Sequence, residues 1–235
     1  MQNHSIETTY NAAMVLNNSA ISLLERGDTR QAREIFMQAI HLMHTVTKCA
    51  QDGHYHHLPS DETIQYTIQS AQQRLSQHSS APRHHVVHVV HQADLAEVVS
   101  SDRTDKLQIL VRMERSWSSD DWESCSDMDS AILLYNTAVA MVLSHPLLAP
   151  DNARGAFAFL KMAGVILTRT EFDDSDSLAL ALLVFEHLAR LACLLDLVHA
   201  EKDCREFLIM LYQEFMKHGG MVQMFASSAV TAAAA

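Results

Sequence analysis

The segment Asn17–Ile40, NNSAISLLERGDTRQAREIFMQAI, decides the fold. Ala13, Leu16, Ala20 and Leu23 recur at spacings of three and four, which places them on one face of a helix. Gly27 then supplies a residue that takes the left-handed conformation at a helix end without steric cost. Asp28 and Thr29 offer side-chain oxygens to cap a second helix, on which Ala32, Ile35, Phe36, Ala39, Met43 and Val46 form a matching stripe. Ala20, Ala32 and Ala39 let the two helices approach closely, while Leu23 and Phe36 fill the space beside them. The sequence predicts a tight antiparallel hairpin that follows a short polar lead-in over residues 1–10 and runs to about Lys48.

Working outward, the motif returns. Tyr135–Ala140, YNTAVA, aligns with Asn17–Ser22, NNSAIS, so that Asn18 matches Asn136, Ser19 matches Thr137, Ala20 matches Ala138 and Ile21 matches Val139. The helix that carries it starts at about Met128, with Ser126 or Asp127 as cap, and ends at His145 before Pro146. Asp151 is placed to cap a partner helix with Ala156, Phe159, Leu160, Ala163 and Leu167 on one face. Ala138 and Ala156 are eighteen residues apart, against twelve for Ala20 and Ala32, so this copy has the longer connection. A third pair occupies Asp174–Lys217, where Ala192 and Cys204 are again twelve apart. Leu178, Leu182, Phe185, Leu188, Leu191 and Leu195 spread around its first helix, which predicts burial on more than one side. Glu186, His187, Arg190 and Asp196 within that apolar stretch favour a core helix over a membrane span.

Leu16, Ser19, Ala20, Leu23, Gly27, Ala32, Phe36 and Ala39 together resemble the tetratricopeptide repeat. Leu16 stands in place of the usual Trp, Ser19 in place of Leu and His44 in place of the closing Pro. The resemblance covers Ala12–Val46 and Met128–Lys217. It implies an all-α fold of stacked antiparallel helical hairpins, a single superhelical domain over residues 1–235 with a polar, partly β insert at 77–126. It also implies a non-enzymatic protein–protein interaction scaffold that binds a partner peptide or helix. By analogy with the first-helix face of such repeats, Asn17, Asn18 and Asn136 would line the concave face, where their amides could hold an extended peptide backbone. Alternatively these Asn face solvent or cap local turns.

Composition agrees with a helical protein, since the 235 residues are 48% hydrophobic with six Gly and four Pro. A net charge of −11 without a basic stripe argues against nucleic acid as a partner. The start MQNHSIETTYNAAM lacks the basic and apolar runs of a secretory signal, and no membrane partner is expected. Cys49, Cys125, Cys193 and Cys204 have no C-x-x-C spacing and read as reduced thiols of a cytoplasmic or nuclear protein.

Between the first and second hairpins, CAQDGHYHHLPS at Cys49–Ser60 reads as a loop, and Ser60 or Asp61 caps a helix bearing Ile64, Ile68, Ala71 and Leu75. Within the insert, Val86–Val90 suits a short strand, and Leu107, Ile109, Val111 and Met113 alternate as a second strand able to pair with it. A helix through Leu107, Leu110, Val111 and Glu114 fits nearly as well. The acidic run Ser116–Ser130 reads as a linker with Trp117 and Trp122 either tucked onto the helices or presented as an exposed binding element, and residues 226–235 as a disordered tail.

Fifteen His make the charge pH-sensitive, and two His-rich runs carry the candidate metal chemistry: His54, His56 and His57 lie together, and His84, His85, His88 and His91 form a second cluster. On a helix His84 and His88 share a face, as do His88 and His91, whereas on a strand His91 points away from the other two. No Cys or Glu at fixed spacing completes the set, so no cofactor is expected. A His-rich metal-binding or structural protein carried on a helical domain is the alternative function. The chain has no Gly-rich phosphate loop, no nucleophile elbow and no H-E-x-x-H helix, so no residue is assigned a catalytic role. The run Glu171, Asp173, Asp174 and Asp176 reads as a loop and helix cap.

Overall fold

A computed structural model of the chain describes residues 2–52, 58–77, 87–100, 109–113, 122–144, 149–169 and 175–217. In chain order these form α1 (Gln2–Glu25), α2 (Thr29–Asp52), α3 (Asp61–Gln77), β1 (His88–His91), α4 (Leu95–Ser100), β2 (Ile109–Arg112), α5 (Trp122–Leu143), α6 (Pro150–Leu167), α7 (Ser175–Leu194) and α8 (Val198–Lys217). A 3-10 turn, Gln92–Asp94, joins β1 to α4. The fold is all-α. Helices α1 and α2, α5 and α6, and α7 and α8 pair as hairpins, and the hairpins stack through α2 on α5 and α6 on α7.

The turn at Gly27 does what its residue type predicts. Its φ is 80°, Gly27 N donates to Leu24 O at 2.8 Å and Asp28 N donates to Leu23 O at 2.9 Å. These bonds satisfy carbonyls that α1 leaves open at its end. Asp28 Oδ1 then accepts from Gln31 N at 3.0 Å and starts α2. The same closure recurs between α7 and α8, where Asp196 has a φ of 57° and Leu197 N donates to Ala192 O at 2.8 Å. Counted from the turn, Leu23 corresponds to Ala192, so Asn18 corresponds to His187. Leu16, Ala20, Leu23, Ala32, Phe36 and Ala39 are all fully buried where the first hairpin closes on itself.

Several boundaries differ from the sequence reading. Residues 2–10 are not a lead-in: α1 begins at Gln2, because Ile6 and Tyr10 bury against the core and extend its apolar face. α2 runs past Lys48 to Asp52 and buries Cys49. Helix α5 begins at Trp122 rather than Met128, taking up the end of the acidic run. α6 has Ala149 as its cap with no side-chain bond, so Asp151 does not cap it. Instead Pro150 presets the first helical φ and Asp151 lies in the first turn, where a carboxylate meets the positive end of the helix dipole. At α3 the expectation matches, with Ser60 Oγ accepting from Thr63 N at 3.3 Å. The described side chains exclude Trp117, Trp122 and Cys125, and residues 226–235 lie outside the described range.

α7 is long and apolar enough to cross a membrane by length and composition. Here it is the central core helix, with every residue from Ser177 to Val184 buried. The physical reason is that α6, α8 and α4 all pack against it.

Replacing Phe36 with Ala should cost about 3–5 kcal/mol in chemical denaturation, because the site is enclosed on both sides by helix. Met37→Ala, one residue on and 46% exposed, should change stability by no more than about 0.5 kcal/mol.

Candidate functional site

β2 crosses the first helices of two hairpins, α1 and α5, and pairs on its other edge with β1. The sheet is parallel, with His88 opposite Ile109, Val89 opposite Leu110, Val90 opposite Val111 and His91 opposite Arg112. Over the described residues this settles the open choice: Ile109–Arg112 is a strand, and helix is excluded there, while Leu107 and Glu114 lie outside the described residues. In an extended chain the N–H and C=O of alternate residues point to the same edge. Ile109, Val111 and Met113 therefore turn their backbone groups toward the helices.

Side-chain amides meet them there. Val111 N donates to Asn136 Oδ1 at 2.9 Å, and Asn136 Nδ2 donates back to Val111 O at 2.8 Å. Two residues on, Met113 N donates to Asn18 Oδ1 at 3.1 Å and Asn18 Nδ2 donates to Met113 O at 2.8 Å. Asn17 joins the two rungs, its Nδ2 reaching Val111 O at 3.3 Å and Asn18 Oδ1 at 3.1 Å, while its Oδ1 accepts from Asn136 Nδ2 at 2.9 Å. At the near end Tyr135 Oη donates to Ile109 O at 3.1 Å. The helices thus supply what an edge strand would, and the backbone polar groups here are paired as burial requires. All three Asn bind the chain's own strand; Asn17 and Asn136 are fully buried, so neither faces solvent.

The side chains of β2 anchor it as firmly. Ile109, Leu110, Val111 and Met113 are buried, so both faces of the strand pack into the core. Only Arg112 emerges, to bond Glu25 Oε2 at 2.7 Å and Ser22 Oγ at 3.3 Å. That pair is partly exposed and contributes at most about 1 kcal/mol. Beneath the strand, the Tyr10 hydroxyl donates to the buried Asp129 carboxylate and ties α1 to α5. Tyr135 stacks edge-on against His187 at 5.4 Å between centroids, and His187 Nδ1 lies 2.8 Å from Leu183 O. Burial, and secondarily the Glu186 charge, push the Tyr135 hydroxyl above the ordinary tyrosine value, which keeps it a donor. Tyr212 is raised as well, chiefly by burial.

Helix α4 and the 3-10 turn before it dock on α7. Asp176 Oδ1 accepts from Ala96 N at 3.2 Å, so a carboxylate at the start of α7 satisfies the first turn of α4. The third hairpin adds no amide rung, because His187 stands at the position of Asn18.

Of the four candidate metal ligands, His84 and His85 lie outside the described residues, as do His54, His56 and His57. His88 and His91 end a strand, three residues apart, so they face opposite sides and the helical one-face pairing does not occur. Among the described residues no group of three or more His, Cys, Asp or Glu is placed to hold a metal ion.

Tyr135, Arg112, Ser22 and Glu25 were not singled out by the sequence. Tyr135 had a usable signal, since it directly precedes the amide that the internal repeat identified. The Arg112 contacts had none, because they depend on where β2 lands. Comparison with known protein families, curated proteins and solved structures returns no match.

Asn136→Ala leaves Val111 N–H and the Asn17 carbonyl without their partner and Val111 C=O with only the longer bond from Asn17, and should lower stability by about 2–5 kcal/mol with faster hydrogen exchange at Val111. Tyr135 gives a separate signature in pH. Its folded value is raised above the unfolded one, so its contribution is complete below about pH 10 and is lost as pH rises further. Denaturation midpoints measured from about pH 9 to about pH 11 should fall, and less steeply in Tyr135→Phe.

Proposed function

We propose that the chain is a non-enzymatic protein-interaction scaffold of tetratricopeptide-repeat-like type, working in the cytoplasm or nucleus and binding an extended segment of a partner protein. The observation that carries this reading is the matched behaviour of Asn18 and Asn136. At corresponding positions of two hairpins, each amide pairs with both backbone groups of one residue, and the two residues held are two apart along an extended strand. Such contacts read main chain, not sequence. Selectivity comes from the buried sites that take Ile109, Val111 and Met113.

In the resting fold β2 itself fills this face. Burial of Ile109, Leu110 and Val111 of β2 and of Met113 beside it contributes on the order of 1.5–3 kcal/mol each, and tethering gives the strand an effective concentration of about millimolar. A partner segment therefore needs the same alternating aliphatic pattern to compete. The scaffold reading makes β2 a resident ligand in cis and the partner a strand of similar kind.

The test weakens the resident strand and offers it back in trans. A full chain carrying Ile109→Asp and Val111→Asp, checked for retained helix by circular dichroism, should bind a labelled peptide of residues 105–115 at one-to-one stoichiometry. Adding Asn18→Ala to that chain should weaken the peptide about tenfold or more, since two charge-neutral hydrogen bonds are lost. A helical chain that takes up no peptide at millimolar concentration would remove the support for this reading.

A further inference from the structure

A second surface lies away from the amide face. Helices α2 and α6 both pack against α5 and leave a groove between them of about 710 Å³. Leu133 and Leu134 of α5 form its floor. One lip is the α2 row Ile40, Met43, Thr47 and Gln51, and the other is the α6 row Ala158, Met162, Val165 and Arg169. Each row repeats at helical spacing and advances eleven residues, about 16 Å or three turns. Met162 and Val165 are 47% and 43% exposed, an apolar strip open to solvent. Two facing helical rows over an apolar floor form a seat for a third helix.

Charge selects which helix. In a chain of net charge −11, the α6 lip carries Lys161 and Arg169, eight residues apart, and the α2 lip carries His44. Neither cation forms an ion pair among the described residues. The lone carboxylate of the groove, Asp127 at the floor, is already engaged in a contact of its own.

We infer that the α2–α6 groove is a docking site for an amphipathic helix of a partner protein, with an apolar seam against Leu133, Leu134, Met162 and Val165 and acidic residues two turns apart against Lys161 and Arg169. The helix seats at the back of the first two hairpins and leaves β2 in place. The site is independent of the amide face, so one can fail without the other.

The probe is a synthetic peptide of about four helical turns, with Leu along the seam and Glu along one flank, and a twin with Lys in place of Glu. Fluorescence anisotropy against the full chain should give saturable binding of the Glu peptide and about tenfold weaker binding of its twin, the size expected from two exposed ion pairs. Val165→Asp, at an exposed position that leaves the fold intact by circular dichroism, should weaken the Glu peptide about tenfold or more. Reversal of both cations, Lys161→Glu with Arg169→Glu, should invert the order of the two peptides. Equal affinity for both peptides, or binding indifferent to Val165→Asp, would overturn the proposal. So would saturable uptake of a fatty acid with no uptake of either peptide, which would make the groove a small-molecule site.

Discussion

The pairing of Val111 with Asn136 is the contact on which the rest of the arrangement depends. A strand that crosses two helices at depth has one row of N–H and C=O groups with no ladder to join, and each such group left bare costs about 1–3 kcal/mol. Helix surfaces normally have nothing to offer, because their own backbone groups are spent along the axis. Here the amides of Asn17, Asn18 and Asn136 substitute for a neighbouring strand, rung for rung. Once that edge is satisfied, the aliphatic side chains of β2 can be buried on both faces, and the strand can join α1 to α5 at a face where the two helices themselves scarcely touch.

The hairpins were legible because their information is local. Ala20, Ala32, Phe36 and Ala39 repeat at helical spacing, and Gly27 marks the turn with the one conformation few other residues accept. The second hairpin followed from the return of the motif at Asn136–Val139 and the third from its apolar residues at helical spacing, although the turn sets Ala192 against Leu23 and not against Ala20 as the twelve-residue match to Cys204 implied. The start of α1 was not legible, because Gln2–Tyr10 is polar in composition and its helicity is secured by two contacts, Ile6 and Tyr10, made with distant elements. The start of α6 misled for a related reason: Asp151 suits a cap, but Pro150 occupies the first helical position and moves the boundary. For β2 the alternation of Leu107 to Met113 left strand and helix nearly equal, and only tertiary pairing separates them.

The three Asn illustrate how far a side chain's chemistry can be read without its address. Their residue type and repeat position indicate amides on the inner helix face, suited to an extended backbone. What the sequence lacks is the identity of that backbone, since an intramolecular strand and a partner's peptide present identical N–H and C=O groups. The deciding quantity lies in the connection lengths and in the buried side chains of Ile109, Leu110, Val111 and Met113, which make the cis strand the favoured occupant by mass action as well as by fit.

That occupancy divides the labour of the two faces. A surface filled by four buried apolar side chains and at least five amide contacts is bound to exchange slowly, because removing the strand exposes both its own apolar area and the floor it covers. The α2–α6 groove carries no such occupant among the described residues, keeps Met162 and Val165 in water, and adds a positive lip to an acidic chain. On the proposed readings, rapid, charge-steered association belongs to a surface of the second kind, and retention of an ordered inner strand to the first. The paired hairpins leave room for both proposals, because small residues are spent on packing α1 against α2 and the outward rows of α2 and α6 are free to differ.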